Sequence, residues 1–363
     1  MTAALTRCLS PWGGLNHILE GAETVLIKLN LLSAEPPSAA VTTHPSVVQA
    51  VTTMVKDAGA IPILGDSPGG FTTTASFHRL LEVTGIAAVA DTCGCEVVCF
   101  DTLPVKEYTG KGRTYRKFTI PSLITEVDAV ICLPKFKTHQ LTGITGAVKL
   151  LYGYLPGKAK TEYHLIAGKD LTTFSEFLCD LYATFPPTFS IMDAVEVMEG
   201  NGPHHGIPRL LGLLLASPSG PALDLTMASL VGFDVRTLPT LEIAAQRQMG
   251  PGTIDEIEIL GPRLDDLRVS DFCPPATHRF LSLPTFMTTG AKWLFAARPY
   301  FDSARCRRCG LCANHCPANA IRYTSGDLPT ISLTHCIRCY CCEELCPAGA
   351  VEIKAPLLRR WLR

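Results

Sequence analysis

Short, dense apolar runs alternate with stretches whose apolar residues recur at helical spacing through the first two thirds of the chain. Val25-Leu-Ile-Lys-Leu-Asn-Leu-Leu32 is one such run, broken by Lys28 and Asn30 and short enough for a buried strand. Thr43-His44-Pro45 then marks a helix start, with Pro45 at the first helical position. Val47, Val51, Met54 and Val55 keep helical spacing, and Gly59 suits the end. Ile61–Leu64 is a second buried strand that runs into Gly65-Asp66-Ser67-Pro68-Gly69-Gly70, after which a helical pattern resumes over Thr73–Val83. Strands are expected again at Glu96–Phe100, Asp128–Leu133, Phe189–Val195, Arg209–Ala216 and Ile257–Leu260, and helices at 142–152, 172–184, 222–231 and 240–248. Strand, helix, strand, glycine loop, helix predicts an α/β fold, a mostly parallel sheet with flanking helices.

The pattern changes near the end of the chain. Cys306-x2-Cys309-x2-Cys312-x3-Cys316-Pro317 is followed, after nineteen residues, by Cys336-x2-Cys339-x2-Cys342-x3-Cys346-Pro347. This is the bacterial ferredoxin run written twice, in which three close thiolates hold three corners of a 4Fe–4S cube and a distant fourth closes it. The fourth cysteine of each run serves the other cluster, so one set is Cys306, Cys309, Cys312 and Cys346, and the other Cys336, Cys339, Cys342 and Cys316. Disulfides fit poorly without a secretory signal, and structural zinc favours paired Cys-x2-Cys knuckles. Cys341, a fifth cysteine in the second run, is expected to point away. The division expected is an α/β domain over 1–262, a connecting segment over 263–302 with a packing helix at Thr289–Ala297, a small α+β two-cluster ferredoxin domain over 303–355, and a tail over 356–363.

With 363 residues, 47% hydrophobic and 18% charged, the chain has ample material for a core. The net charge of −1 gives no argument for nucleic acid. From Ser303 onward Lys and Arg outnumber Asp and Glu nine to four, which offsets the charge of two thiolate-ligated clusters. No apolar run approaches a membrane span, and Leu210–Ala216 is a buried strand by length. The terminal Leu357–Arg363 stretch is expected to dock on the protein. A cytoplasmic protein of an anaerobic or low-oxygen host is expected.

Two stretches outside the cysteine runs carry candidate chemistry. The loop Gly65, Asp66, Ser67, Pro68, Gly69, Gly70 follows a strand, where an open α/β sheet binds ligands, and reads either as a tight turn or as an anion loop. Lys135, Lys137 and His139 follow the strand 128–133, and Lys149, Lys158, Lys160 and His164 come next; a solvated basic face is the alternative. Lys28, Lys135 and Lys149 with the glycine loop form the candidate anion site, and His139 and Lys137 are the candidate catalytic pair. Glu196, Glu199, His204 and His205 flank Asn201-Gly202-Pro203 in a loop expected to face solvent, a catalytic or metal role beside His139 being the alternative. Cys93, Cys95 and Cys99 read as ordinary thiols.

Ile27-Lys28-Leu-Asn30, Thr42-Thr43-His44-Pro45, Gly65–Gly70, Pro134–His139 and Gly200-Asn201-Gly202-Pro203 together resemble an iron–sulfur family known as domain of unknown function 362. The resemblance covers about residues 22–235, and the attached double ferredoxin is similar to what many members carry. It departs at Ser217–Asp224, where a charged residue nearer Pro221 is implied, although Asp224 matches. The resemblance implies a fold and a redox context but no reaction. The expected function is an oxidoreductase passing electrons through two 4Fe–4S clusters to an anionic substrate or cofactor. The alternatives are an electron carrier docking to a partner enzyme and a non-redox binding protein with structural clusters.

Overall fold

The computed structural model describes residues 1–70, 72–167, 171–277 and 297–354. In chain order the strands are β1 (Thr24–Lys28), β2 (Ile61–Asp66), β3 (Glu96–Cys99), β4 (Val105–Thr109), β5 (Lys117–Pro121), β6 (Ala129–Cys132), β7 (Lys135–His139), β8 (Gly143–Thr145), β9 (Phe189–Glu199) and β10 (Ile207–Ser217). Four more follow near the C-terminus: β11 (Arg298–Phe301), β12 (Ile321–Arg322), β13 (Thr330–Ile331) and β14 (Val351–Lys354). The main sheet has eight strands in the order β3-β2-β1-β6-β9-β7-β8, with β10 on β9. Its pairings from β3 through β9 to β7 are parallel, and β8 and β10 attach antiparallel. The expected mostly parallel α/β fold is therefore present.

The central strands are apolar throughout because both faces are covered. Alternate residues of β1 enter different cores: Val25 and Ile27 pack with Val47, Val51 and Val55 of the helix Pro45–Asp57, whereas Leu26 packs with Phe174, Phe177 and Leu181 of the helix Leu171–Thr184. A third core joins β9 to the helices Gly220–Leu230 and Pro239–Gln246, and Phe272 closes it against Phe136, 6.1 Å between ring centres. Small strands frame the cysteine region: β11 pairs β14 and β12 pairs β13.

Several sequence expectations need correction. The first strand ends at Lys28 rather than Leu32, because Leu31 N–H leaves the ladder to bond Asp66, at 2.6 Å. Residues 142–152 are not one helix: Gly143, with φ +80°, opens β8, which pairs back on β7, and only Ala147–Leu150 is α-helical before a 3-10 turn over Leu151–Tyr154. Ile257–Leu260 has no strand partner among the described residues, and Leu260 is half exposed. The strand expected at Arg209–Ala216 exists, but as an edge with Leu210 75% exposed, since β9 covers one side only. A helix at Ile86–Cys93 and the β4–β5 hairpin were not anticipated. The helix expected at Thr289–Ala297 lies, except for Ala297, outside the described residues, as does the tail.

A lysine-lined cavity beside the cysteine module

The carboxyl ends of β1, β2 and β6 open on one edge of the sheet, as in other open α/β sheets. There Lys28, at the end of β1, meets Asp66, at the end of β2, in a fully buried ion pair of 2.6 Å. Asp66 also accepts from Leu31 N–H and Ser67 N–H. A second pair repeats the device: Lys135 Nζ lies 2.9 Å from Asp193 on β9, and Asp193 also accepts from His44 N–H and Val195 N–H. These contacts account for two of the quoted motifs. Thr43 adds a hydroxyl bond to Leu133 O at 2.7 Å, tying the β1 exit to the end of β6.

A cavity of about 120 Å³ lies over these strand ends. Lys28, Asp66, Ser67, Gly69, Gly70, Lys135, Lys137 and Lys149 all reach its wall. Gly65 and His139 do not. Gly65 is a packing glycine, since a Cβ there would lie 2.4 Å from the Phe100 ring. The solvated basic face is excluded, because Lys28, Lys135, Lys137 and His139 are buried and Lys149 is half-buried.

The lysines differ in what neutralises them. Lys28 and Lys135 have carboxylates. Lys137 donates to Val41 O at 2.6 Å, with no carboxylate in ion-pair range among the described residues, and burial, then the neighbouring Lys149, bring its pKa down to about 7. Lys149 stands over the Tyr152 ring, 5.8 Å to its centre, with no carboxylate in ion-pair range among the described residues; burial lowers its pKa too. Lys160 bonds Ser67 O, Ser67 Oγ and Pro68 O at 2.5–2.8 Å, clamping the glycine loop, and burial takes it to about 8 against the pull of Asp66 and Asp101.

His139 stands behind the wall. Its Nδ1 accepts from Leu141 N–H and Thr142 N–H, so the ring proton sits on Nε2, which faces Glu344 at 3.7 Å. Burial, then Lys149, lower its pKa to about 4, leaving the ring neutral at pH 7. Burial acts to raise the Glu344 pKa, but His139 and Lys149 override it and hold the carboxyl below its ordinary range.

Glu344 belongs to the cysteine module, and with Cys341, Leu345 and His315 it supplies one side of the cavity. Cys341 is thus turned to the cavity, while its neighbours Cys339 and Cys342 face the other way. Sequence reading missed Glu344, His315, Asn30, Thr145 and Tyr152 as wall residues; it placed Lys160 and His164 in the basic stretch only. His204 fastens the module, bonding Glu344 O at 2.8 Å, Glu35 at 3.1 Å and Ser33 at 3.2 Å, and His205 stacks on it at 4.3 Å. The loop expected to face solvent is therefore a joint. Glu199 pairs instead with Arg209.

Two further cavities test the fit of iron–sulfur clusters. One is lined by Cys306, Cys309, Cys312 and Cys346, the other by Cys316, Cys336, Cys339 and Cys342, each with apolar neighbours. None of the sixteen cysteines is in a disulfide. Arg308, Ala320 and Ala350 donate N–H bonds to the Sγ atoms of Cys306, Cys316 and Cys346 at 3.2–3.4 Å, the kind of contact that tunes a thiolate-bound cluster. The doubled run is doubled in backbone too: Arg308 and Arg338, Gly310 and Tyr340, and Asn319 and Gly349 all have positive φ, thirty residues apart. Among the described residues no three His, Cys, Asp or Glu converge on a single metal ion, Cys93, Cys95 and Cys99 included. Cysteines holding four separate irons sit wider than ligands of one ion.

Asp224, which matches the family where the turn before it departs, caps the short helix carrying Lys149. It accepts Ala147 N–H at 2.6 Å and Val148 N–H at 3.0 Å, and Gly146 is required there because a Cβ would lie 2.1 Å from the carboxylate. Burial raises the Asp224 pKa to about 7 against those bonds. Asp224→Ala should cost about 1–3 kcal/mol, from two orphaned buried N–H groups, in denaturant unfolding. A loss below a few tenths would show the cap to be dispensable.

The family model described as domain of unknown function (DUF362) matches residues 25–229, and the 4Fe-4S dicluster domain model matches residues 299–350. A thylakoid-associated protein of Synechocystis sp. is 35% identical over 250 residues, spanning 69% of this chain and 75% of that protein. The lactate racemase apoprotein from Thermoanaerobacterium thermosaccharolyticum aligns with a TM-score of 0.41 at 16% identity, over 60% of this chain and about half of that one (51%). Among the described residues no helix is long and apolar enough to cross a membrane. With its sheet, lysine motifs and ferredoxin-type iron–sulfur module, the chain belongs to the DUF362 family.

Proposed function

We propose that this protein is an iron–sulfur oxidoreductase that reduces an anionic substrate in the lysine cavity. The observation that carries this reading is the shared wall: Cys341, Glu344 and His315, neighbours of the cysteines around the second cysteine-lined cavity, face the same space as Lys137 and Lys149. When bound, two 4Fe–4S clusters would supply electrons singly. Cys306, Cys309, Cys312 and Cys346 would hold one, and Cys336, Cys339, Cys342 and Cys316 the other. The first set is the more exposed, with Cys309 at the surface, and suits electron entry from a partner protein, whereas Cys339 and Cys342 of the second set are buried.

Within the cavity Lys149 attracts the anion, and Gly69 and Gly70 let it approach the backbone. Lys137 Nζ is the group that can hand over the proton balancing an added electron, since its pKa sits near neutrality. His139, neutral and behind Glu344, orients that carboxylate. We place the protein in the cytoplasm, where its many free thiols stay reduced.

The reading is tested by mixing dithionite-reduced protein with candidate anions and following the visible absorption. Reoxidation by an anion should fall at least tenfold in Lys137→Met. The kcat/KM should decline about tenfold per pH unit above about pH 7, as the Lys137 proton is lost. A profile flat from pH 6 to 9 would remove Lys137 as the donor.

A further inference from the structure

Resting on the reading that electrons enter through the first cysteine set, we infer that the outer face of that half docks a small acidic electron-carrier protein. The doubled module supplies the comparison, because residues thirty apart occupy equivalent places. The helices Leu311–Asn314 and Cys341–Glu344 are such a pair, and so are the bonds from Ala320 and Ala350 N–H to Cys316 and Cys346 Sγ. One half is already docked on this chain. Its helix presents Cys341 and Glu344 to the lysine cavity, with Glu344 3.7 Å from His139 and its backbone oxygen held by His204 at 2.8 Å. The equivalent positions of the first half are open. Leu311 stands where Cys341 does and is 37% exposed, Asn314 stands where Glu344 does and is exposed, and Cys309 is at the surface where Cys339 is buried. His315, the counterpart of Leu345, turns inward to Gly70 instead.

Charge decides what covers the open copy. The docked half brings a carboxylate, Glu344, to a wall that carries Lys137 and Lys149. Over Leu333–Gly349 it has Arg338 against Glu343 and Glu344, whereas the equivalent Ser303–Asn319 of the open half has three arginines and no acid. Arg305 is committed to Asp302 and Glu352. Arg307 and Arg308 are exposed, with no carboxylate in ion-pair range among the described residues; Arg308 bonds Gly326 O at 2.8 Å. Asp327, next to Gly326, is the neighbouring acid and is exposed and without an ion pair among those residues. The charge of a bound cluster is common to both halves and leaves the contrast between them in place. Leu311 and Arg307 line the same cysteine cavity as Cys309. An exposed leucine with exposed arginines suits a partner whose apolar centre has an acidic rim. The carrier gives up one electron, this protein takes it, and no proton or bond is exchanged.

Binding is measured on the oxidised, cluster-loaded protein with two oxidised probes, a strongly acidic 2Fe–2S ferredoxin and a basic c-type cytochrome. The ferredoxin should bind at about 20 mM salt and at least tenfold more weakly at about 300 mM. Arg307→Glu and Leu311→Glu should each weaken it about tenfold with iron content unchanged. Lys111→Glu, the same reversal of charge in the exposed turn between β4 and β5, should change it less than about twofold. The inference is overturned if the ferredoxin does not bind, if the cytochrome binds as tightly, or if Lys111→Glu loses as much as Arg307→Glu. Unchanged affinity in Arg307→Glu and Leu311→Glu overturns it too. Electron entry is scored separately, by mixing each protein reduced with the other oxidised. A ferredoxin that binds at this face yet exchanges no electron in either direction upholds the docking face and rejects entry through the first cysteine set.

Discussion

Protein purified without oxygen should contain close to eight iron and eight acid-labile sulfide per chain, and paired cysteine variants should reveal which thiolates share a cluster. The cysteine-lined cavities put Cys346 with Cys306, Cys309 and Cys312, and Cys316 with Cys336, Cys339 and Cys342. Cys306→Ser and Cys346→Ser should then each remove about four irons, and the double variant no more than either alone. Cys306→Ser with Cys316→Ser should instead strip both clusters. If each run held its own cluster, the two double variants would exchange results. Stoichiometric zinc with little iron would reject the iron–sulfur assignment altogether. Because the apolar core of the module is small and includes Cys312, Cys316, Cys342 and Cys346, full loss of iron should also unfold it, visible as lost protease resistance of 298–354.

What could be read from the chain depended on where burial comes from. Apolar runs located β1, β2, β6 and β9, since those strands are buried by hydrophobic neighbours on both faces. β7 escaped detection because only Phe136 of Lys-Phe-Lys-Thr-His is buried by apolar packing, while Lys135 and Lys137 are buried against Asp193, Val41 O and the cavity. Gly143 and Gly146 overrode the helical spacing of 142–152, the first by its positive φ and the second by the approach of Asp224. Ile257–Leu260 shows the converse, a largely apolar run that forms no strand. The lysines of the candidate site were legible as a charge cluster. Their division into neutralised and free ones was not, because Asp193 is far from Lys135 in sequence. Glu344 offered no signal at all: beside two cluster cysteines, nothing in its neighbourhood says that it faces another domain's cavity.

Breaking either buried ion pair should come close to unfolding the α/β domain. In Asp193→Ala the Lys135 ammonium, with its side chain fully buried, loses its counter-charge, and His44 N–H and Val195 N–H lose their acceptor. An uncompensated buried charge costs about 3–5 kcal/mol, against a total stability of about 5–15 kcal/mol. Asp193→Asn keeps a carbonyl for His44 N–H but not the charge, and should fall between wild type and Asp193→Ala. Lys135→Met combined with Asp193→Asn removes the stranded ammonium and retains that acceptor, so it should recover most of the loss in denaturant unfolding. Asp66→Asn and Lys28→Met should behave alike, because Asp66 likewise serves a buried lysine and two backbone donors. If the double variant were no more stable than Asp193→Asn, the cost would lie in the backbone bonds rather than in the charge. The same comparison separates structural from ligand-binding lysines. Met at 135 in the double variant should leave anion affinity within about threefold of wild type, since Asp193 already cancels that charge, whereas Met at 149 should weaken it at least tenfold.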